Sequence, residues 1–284
     1  MAAGCASQTV PSGLSSQAGP TEPAQVVEIA PPTVAPEPTP EPTLEPTPAL
    51  APVPVVPSAS PTFPPPTAPI PPPGGFAPGL AGLKVPDGHG QSVSLTFDDG
   101  PSARFTPQIL ALLNQAHAPA TFCMIGRQVA ALAVLVQQEI AAGDLLCDHS
   151  RDHDLQMRRR GVAYETSEVN DGLRAIQAVA PGVPVLFYRQ PGGLWDPNVL
   201  QAAAQAGLAP LRWTDDPRDW SRPGTVMIAQ RILAQLRPGG VVLMHDGGGD
   251  RTETVEALTW LLRALPAANW TFTLPTAEQA ARSG

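Results

Sequence analysis

The stretch Thr96-Phe97-Asp98-Asp99-Gly100-Pro101 places two adjacent carboxylates directly after an apolar run. Residues 93–97 are rich in β-branched and aromatic side chains, which favours a strand, and Gly-Pro favours a sharp turn. Parallel α/β folds place their active sites at the carboxyl ends of strands, so the pair is a candidate for catalysis. The alternative for these six residues alone is a solvated turn, because Asp, Gly and Pro are ordinary turn residues.

Composition divides the chain near residue 84. Of its 37 prolines, 23 lie within residues 11–78, mixed with Thr, Glu, Ala and Val. Such a segment favours extended polyproline II and lacks the apolar area to build a core. We expect residues 10–84 to form a disordered Pro/Thr/Glu-rich linker, and residues 85–284, which have the size of one α/β domain, to form the folded domain.

Charge and hydropathy exclude two classes of protein. Five of the eight excess negative charges precede Lys84, so the domain is only mildly acidic and has no nucleic-acid footprint. The sequence as given contains no run of 18 apolar residues, so we expect no membrane-spanning segment in it.

Residues 1–9 contain Ala2-Ala3-Gly4-Cys5, which resembles the end of a bacterial lipoprotein signal, although the charged and apolar parts of such a signal are missing. Either these residues are a truncated signal and anchor with the start codon assigned too late, or Cys5 is a free thiol in a cytosolic protein. The long spacer behind Cys5 favours the first alternative. It predicts membrane attachment through lipidated Cys5 and an extracytoplasmic position at the bacterial cell surface.

The other two cysteines, Cys123 and Cys147, end two successive strand-like runs. Neighbouring strands would bring them together as a disulfide in an oxidising compartment. The alternative is two buried thiols that act as small apolar residues.

Short apolar runs alternate with helical patterns from residue 93 to the C-terminal region. Seven strands are predicted, at residues 93–97, 120–125, 145–147, 185–188, 210–214, 241–244 and 270–274. Helices are predicted at residues 105–117, 128–142, 162–179, 197–206, 226–236 and 252–265. Apolar strands that alternate with helices indicate a parallel sheet buried on both faces, either open or closed into a barrel.

Histidines follow two other predicted strands. His149 and His153 come after the third strand, and His245 comes after the sixth. One helical turn would align the first two imidazoles, and with Asp99 they would hold a tetrahedral metal with one position open for water. The alternative for two histidines at this spacing is a solvated polar loop.

Two further strand ends carry Arg189 and the acidic residues within 215–219. Judged singly, Arg189 is equally well explained as a surface salt bridge and Asp216 as a cap. Ionisable groups nevertheless end five of the seven predicted strands. A purely structural sheet needs no such convergence of Asp, His and Arg on one edge.

Five motifs, in order, resemble those of the polysaccharide deacetylases of carbohydrate esterase family 4. They are T-F-D-D-G-P at residues 96–101, H-S-x-x-H at 149–153, R-x-P-x-G at 189–193, D-x-x-D-W at 216–220 and L-x-H at 243–245. The resemblance implies an α/β fold, a distorted (β/α) barrel with about seven parallel strands. It also implies one divalent metal, Zn²⁺ or Co²⁺.

The resemblance further implies roles for individual residues. The implied metal ligands are Asp99, His149 and His153. The implied catalytic residues are Asp98 as general base, His245 as general acid, Arg189 as the partner of Asp98, and Asp219 as the residue that orients His245. The implied substrate-binding residues are Gly192, whose backbone N–H would stabilise the oxyanion, and Trp220 and Leu243, which would line the acetyl pocket.

Two positions depart from the family pattern. Gly192 stands where the family often has an aromatic residue, so we expect one wall of the sugar groove to be missing. Asp148 stands where Asn is common, which adds a negative charge beside the metal site. Residues 247–251 are either a rim loop over the substrate or a plain connection to the next helix.

The sequence therefore predicts a metal-dependent hydrolase that removes N-acetyl groups from N-acetylglucosamine units of a polysaccharide. Because of the spacer and Cys5, we expect peptidoglycan or a related surface glycan rather than chitin, and a monomeric enzyme. One alternative is an O-deacetylase of acetylated xylan. The other is a catalytically silent glycan-binding module, against which the retained Asp and His residues argue.

Overall fold

The computed structural model describes residues 79–281. The predicted anchor with Cys5 and all but the last residues of the predicted linker lie outside these described residues. Within them, no helix is both long and apolar enough to cross a membrane.

Seven strands of the described chain form one sheet, as predicted, and all of their pairings are parallel. They are β1 (Gln91–Gly100), β2 (Ala120–Met124), β3 (Leu145–Asp148), β4 (Val185–Tyr188), β5 (Ala209–Pro210), β6 (Gly240–His245) and β7 (Trp270–Phe272). The order is β5-β4-β3-β2-β1-β6. Val93 of β1 pairs with Gly240 of β6 on one side and with Phe272 of β7 on the other. Strand β7 therefore lies beside the start of β1, on the same side of β1 as β2.

Helices connect the strands, and five of the six predicted helices are found nearly unchanged. The helices are α1 (Thr106–Ala116), α2 (Gly126–Val129), α3 (Ala133–Ala142), α4 (Val162–Val179), α5 (Pro197–Gln205), α6 (Thr225–Gln235), α7 (Thr252–Ala267) and α8 (Ala277–Ala281). The single helix predicted at 128–142 is wrong, because a 3₁₀ turn at Ala130–Leu132 separates α2 from α3. The short α8 was not predicted.

The fifth strand is shorter than predicted. Only Ala209–Pro210 pair with β4, and Pro210 cannot donate to a ladder because it has no N–H. The chain then crosses to β6, where the amide of Thr214 donates to the Val241 carbonyl at 2.9 Å and the amide of Leu243 donates to Asp215 at 2.9 Å. This crossing brings the segment after residue 215 next to the end of β6.

The alternation of β1 decides what faces the site. Val93, Leu95 and Phe97 are buried in the main core together with apolar residues of α1 and α7. Thr96 and Asp98 therefore lie on the opposite face of the sheet, because side chains alternate along a strand. The sheet is curled, and the face that carries Thr96 and Asp98 is its concave inner face.

Beneath the site, Cys123 of β2 and Cys147 of β3 are register partners, and a disulfide joins them. Both are buried in an apolar cluster with Phe187, Leu211 and Val241. The structure thus decides between the two alternatives that the sequence left open for these cysteines.

Candidate active site

The two carboxylates lie inside β1 and not in a turn after it. Asp98 pairs with Cys123 and Gly100 with Met124, which leaves Asp99 as a bulge residue with a φ of 71°. Neighbours in a regular strand point to opposite faces. The bulge turns Asp99, so that Asp98 Oδ2 and Asp99 Oδ1 lie 3.6 and 3.5 Å from the same atom, His149 Nε2.

Asp99, His149 and His153 offer three ligand atoms within 4.8 Å of one another. Asp99 Oδ1 lies 3.1 Å from His153 Nε2 and 3.5 Å from His149 Nε2. With bonds of about 2.1 Å, ligands at the corners of a tetrahedron are roughly 3.4 Å apart. Asp99 Oδ1 is buried and has no hydrogen-bond partner among the described residues, as a ligand oxygen would. The residues therefore fit a divalent metal.

The segment that carries the two histidines is a loop, and no helical turn aligns the imidazoles, since Ser150 and His153 have φ values of 63° and 55°. His149 Nδ1 donates to the Arg189 carbonyl at 2.7 Å, which leaves Nε2 as the nitrogen that faces Asp99. Ser150 braces the loop by accepting from the amide of His153 at 3.1 Å.

The pKa values of Asp99, His149 and His153 are shifted by burial and by the charges of their neighbours. Burial raises the pKa of Asp99, but the close contact and charge of His149, with the charges of His245 and His153, lower it well below its usual range. Burial lowers the pKa of His149, and the carboxylates of Asp98 and Asp99 outweigh this effect and raise it. Burial and neighbouring His149 lower the pKa of His153.

Asp98 is held by a fully buried arginine, as the resemblance implied. Arg189 Nη1 donates to Asp98 Oδ1 at 2.7 Å and to Thr96 Oγ1 at 2.9 Å, and its Nε donates to the Leu211 carbonyl at 3.0 Å. Thr96 Oγ1 in turn donates to the Val242 carbonyl. These bonds fix one oxygen of the Asp98 carboxylate and leave the other toward the histidines.

His245 stands beside Asp98, its register partner on β6. Its Nδ1 donates to Asp219 Oδ1 at 2.7 Å, and its backbone amide donates to Asp219 Oδ2 at 2.9 Å. Burial lowers the pKa of His245, but the charge and hydrogen bond of Asp219 outweigh it and raise the pKa to about 9. The site therefore combines a carboxylate base, a protonated imidazole and three candidate metal ligands.

Comparison with known proteins identifies the family. A family model described as polysaccharide deacetylase matches residues 86–211. A chitooligosaccharide deacetylase of Bradyrhizobium sp. (strain ANU 289) is 40% identical over 186 residues, 62% of this chain and 84% of the relative. The chain belongs to the polysaccharide deacetylase family.

Other relatives agree with this assignment. A peptidoglycan-N-acetylglucosamine deacetylase of Bacillus cereus is 35% identical over 196 residues, 68% of this chain and 90% of the relative. A family 4 carbohydrate esterase from Streptomyces lividans, solved in complex with acetate, matches with a TM-score of 0.61 at 29% identity. That match covers 67% of this chain and 95% of the esterase. The predicted α/β fold, a distorted (β/α) barrel with about seven parallel strands, is thereby confirmed.

The three residues that the deacetylase resemblance assigned to substrate binding lie on separate elements. Leu243 is buried on β6, two residues before His245 and therefore on the same face. Trp220 is 52% exposed on the 3₁₀ turn Asp219–Ser221. Gly192 has a φ of 61°, and a Cβ there would press against Leu155, which is itself exposed.

The departure from the family pattern at Asp148 places a carboxyl in a fully buried position. Its side chain is fully buried against Gly172 of α4, where a Cβ would overlap the carboxylate. Burial raises the pKa of Asp148 well above its usual value, the Ser150 backbone lowers it, and the charge of Glu168 raises it further. The neutral form of Asp148 is therefore more accessible than that of a solvated carboxyl.

Three polar residues that support the site were not predicted. Thr96 could have been found, because it precedes Asp98 by two residues on the same strand face. Thr254, which donates to Asp219 Oδ2 at 2.8 Å, and buried Arg251 carry no signal in the sequence, since they look like ordinary residues at a helix start. Residues 247–251 are accordingly more than a plain connection: Gly247 is buried against Asp99, whereas residues 248–250 are exposed.

Proposed function

We propose that the protein is a metal-dependent hydrolase that removes N-acetyl groups from N-acetylglucosamine units of a polysaccharide. One observation supports the proposal: a carboxylate and an imidazole lie on either side of the three candidate metal ligands, Asp99, His149 and His153. The carboxylate is Asp98, which accepts a hydrogen bond from Arg189, and the imidazole is His245, which donates one to Asp219. The relatives named as chitooligosaccharide and peptidoglycan-N-acetylglucosamine deacetylases support the substrate class.

Asp99, His149 and His153 would hold the cation, and their mixed carboxylate and imidazole donors suit Zn²⁺ or Co²⁺. A divalent cation there supplies a Lewis acid that polarises the acetamide carbonyl and favours the ionisation of water.

Asp98 and His245 would move the protons. Asp98 takes a proton from the attacking water through the oxygen that Arg189 leaves free, as the water oxygen bonds to the acetyl carbon. His245 donates a proton to the nitrogen as the C–N bond breaks, and acetate and a free amine leave. Asp219 stabilises the protonated imidazole and fixes its tautomer through Nδ1.

Three further residues would position the acetyl group. The backbone N–H of Gly192 would donate to the developing oxyanion. Leu243 and Trp220 would contact the acetyl methyl, and half-exposed Trp220 has apolar area left for a sugar ring. With Gly192 in place of an aromatic residue, the groove is open on one side.

The finer assignments rest on the sequence. We propose residues 85–284 as the catalytic domain, residues 10–84 as a disordered linker and residues 1–9, through lipidated Cys5, as an anchor at the bacterial cell surface. That placement favours peptidoglycan or a related surface glycan as the substrate of a monomeric enzyme.

Acetate release from chitooligosaccharide, peptidoglycan and acetylxylan, with Zn²⁺, Co²⁺ or a chelator, tests the proposal. We expect metal-dependent acetate from the two N-acetylated glycans. Release from acetylxylan alone would show an O-deacetylase. Tight glycan binding with no acetate under any metal condition would refute the enzyme assignment.

A further inference from the structure

Arg251, directly before α7, donates three hydrogen bonds to backbone carbonyls. Its Nε donates to Gly247 at 2.7 Å, its Nη2 to Gly248 at 2.9 Å, and its Nη1 to Asp219 at 3.3 Å. The side chain is buried, with 4% of the residue exposed. Burying a guanidinium is costly, so its planar donor fork is expected where backbone segments must be held in a fixed relation.

Gly247 and Gly248, the first two acceptors, pack against Asp99. A Cβ at Gly247 would overlap the Asp99 carbonyl oxygen, and a Cβ at Gly248 would overlap the Asp99 carboxylate. Gly248 also has a φ of +71°, which disfavours other residues. The amide of Gly247 donates to the Asp98 carbonyl at 3.3 Å. This glycine pair therefore limits where the bulged Asp99 can lie.

Asp219, the third acceptor, belongs to the acid half of the site. Its carboxylate accepts from His245 and from Thr254, so its backbone position sets the position of the imidazole. Arg251 thus bonds directly to the residue that orients His245 and to the two glycines that contact Asp99.

We propose that Arg251 is a positioning residue that fixes His245 and Asp219 relative to Asp99. The inference rests on the proposed function, in which His245 must donate a proton to an amide held at the metal. Without the three bonds, the glycine pair can move away from Asp99, and Asp219 can shift with His245. Loss of Arg251 should then weaken both metal binding and turnover.

Arg251→Met and Arg251→Lys test the proposal, with Arg231→Met as the matched control. Arg231 of α6 also donates to a backbone carbonyl near Asp219, that of Pro217 at 2.9 Å, but within residues 79–281 it makes no hydrogen bond to Asp219 or the glycine pair. The metal-free proteins are titrated with Zn²⁺ alone, and kcat and KM are measured at saturating Zn²⁺. Thermal unfolding checks that each variant is folded.

For Arg251→Met we expect Zn²⁺ affinity about 10–100-fold weaker and kcat lower by a similar factor, with KM within about twofold. Lysine should restore part of both losses, and Arg231→Met should stay within about threefold of wild type. Wild-type Zn²⁺ affinity or kcat in Arg251→Met, or equal losses in Arg231→Met, would overturn the proposal. If Arg251→Met does not fold, Arg251→Lys decides by the same measurements.

The Zn²⁺ titration separates this inference from the proposed function. A wild-type protein that binds Zn²⁺ but releases no acetate from any glycan would refute the proposed reaction. The Zn²⁺ affinities of the Arg251 variants would still test whether Arg251 positions Asp99.

Discussion

Asp219→Asn should move the basic limb of the pH profile, because the charge and hydrogen bond of Asp219 are the largest of the effects that raise the pKa of His245, ahead of the charges of Asp98 and Asp99. Asn retains the size of the side chain but not the charge that holds the imidazole protonated. The pKa of about 9 in the folded protein compares with an ordinary value of 6.5. This difference corresponds to about 3 kcal/mol in favour of the protonated form.

The size of the effect follows from the protonated fraction of His245. At about pH 8 the fraction is about nine-tenths with a pKa near 9, and about one-thirtieth with a pKa near 6.5. We therefore expect kcat/KM of Asp219→Asn to fall about 30-fold at about pH 8. At about pH 6 the fall due to protonation should be less than about twofold, because both proteins are mostly protonated there.

Initial rates of acetate release from a chitooligosaccharide, measured from about pH 5 to about pH 10 at saturating Zn²⁺, provide the test. Thr254→Val is the control, since it removes one hydrogen bond to Asp219 but leaves the charge. Its basic limb should move by less than about half a pH unit. A loss in Asp219→Asn by the same factor at every pH would refute the reasoning, because it would show a structural role without control of His245 protonation.

Three other predictions follow from the site and its surroundings. Asp98→Asn should keep Zn²⁺ affinity within about threefold but lower kcat at least about 10³-fold, because Asp98 is the proposed base. His149→Ala should lose Zn²⁺, because His149 is a proposed ligand. Equal loss of Zn²⁺ in both variants would contradict this division of roles. Burial raises the pKa of Asp246 to about 7. Its folded-state pKa thus exceeds the unfolded value, so wild-type stability should fall as pH rises from about 4 to 7. In urea unfolding of the metal-free protein, Asp246→Asn should be about 2–4 kcal/mol more stable than wild type at about pH 8 and equal to it at about pH 4. Replacing Cys123 and Cys147 by Ala should cost about 3 kcal/mol in urea unfolding, and unreduced, denatured wild type with unlipidated Cys5 should titrate one thiol, not three.

Much of the fold could be predicted from local sequence. The strand and helix alternation gave seven parallel strands and most helix bounds, since apolar periodicity reports burial directly. Failures occurred where tertiary contacts override periodicity. Residues 211–214 look like a strand, but the chain there leaves β4 and crosses to β6. Residues 128–142 look like one helix, but a 3₁₀ turn interrupts them.

The candidate site was only partly visible in the sequence. Its ionisable residues follow strands and could be found from the motifs. The bulge at Asp99 could not, because register is a property of two strands and not of one. Arg251 and Thr254 were missed for a related reason: their hydrogen bonds to Asp219 span 32 and 35 residues, and neither spacing has a local signature.

By itself, the sequence determined the family, the parallel α/β architecture and the chemical types available at one edge of the sheet. Only the tertiary structure decided how those groups are divided. Asp98 and Asp99 are identical neighbours, yet one is held by Arg189, 91 residues away, and the other faces two imidazoles. The physical reason is that hydrogen bonds, burial and charge act over a few ångströms of space. A one-dimensional pattern fixes which face a side chain occupies but not which distant residue it meets there.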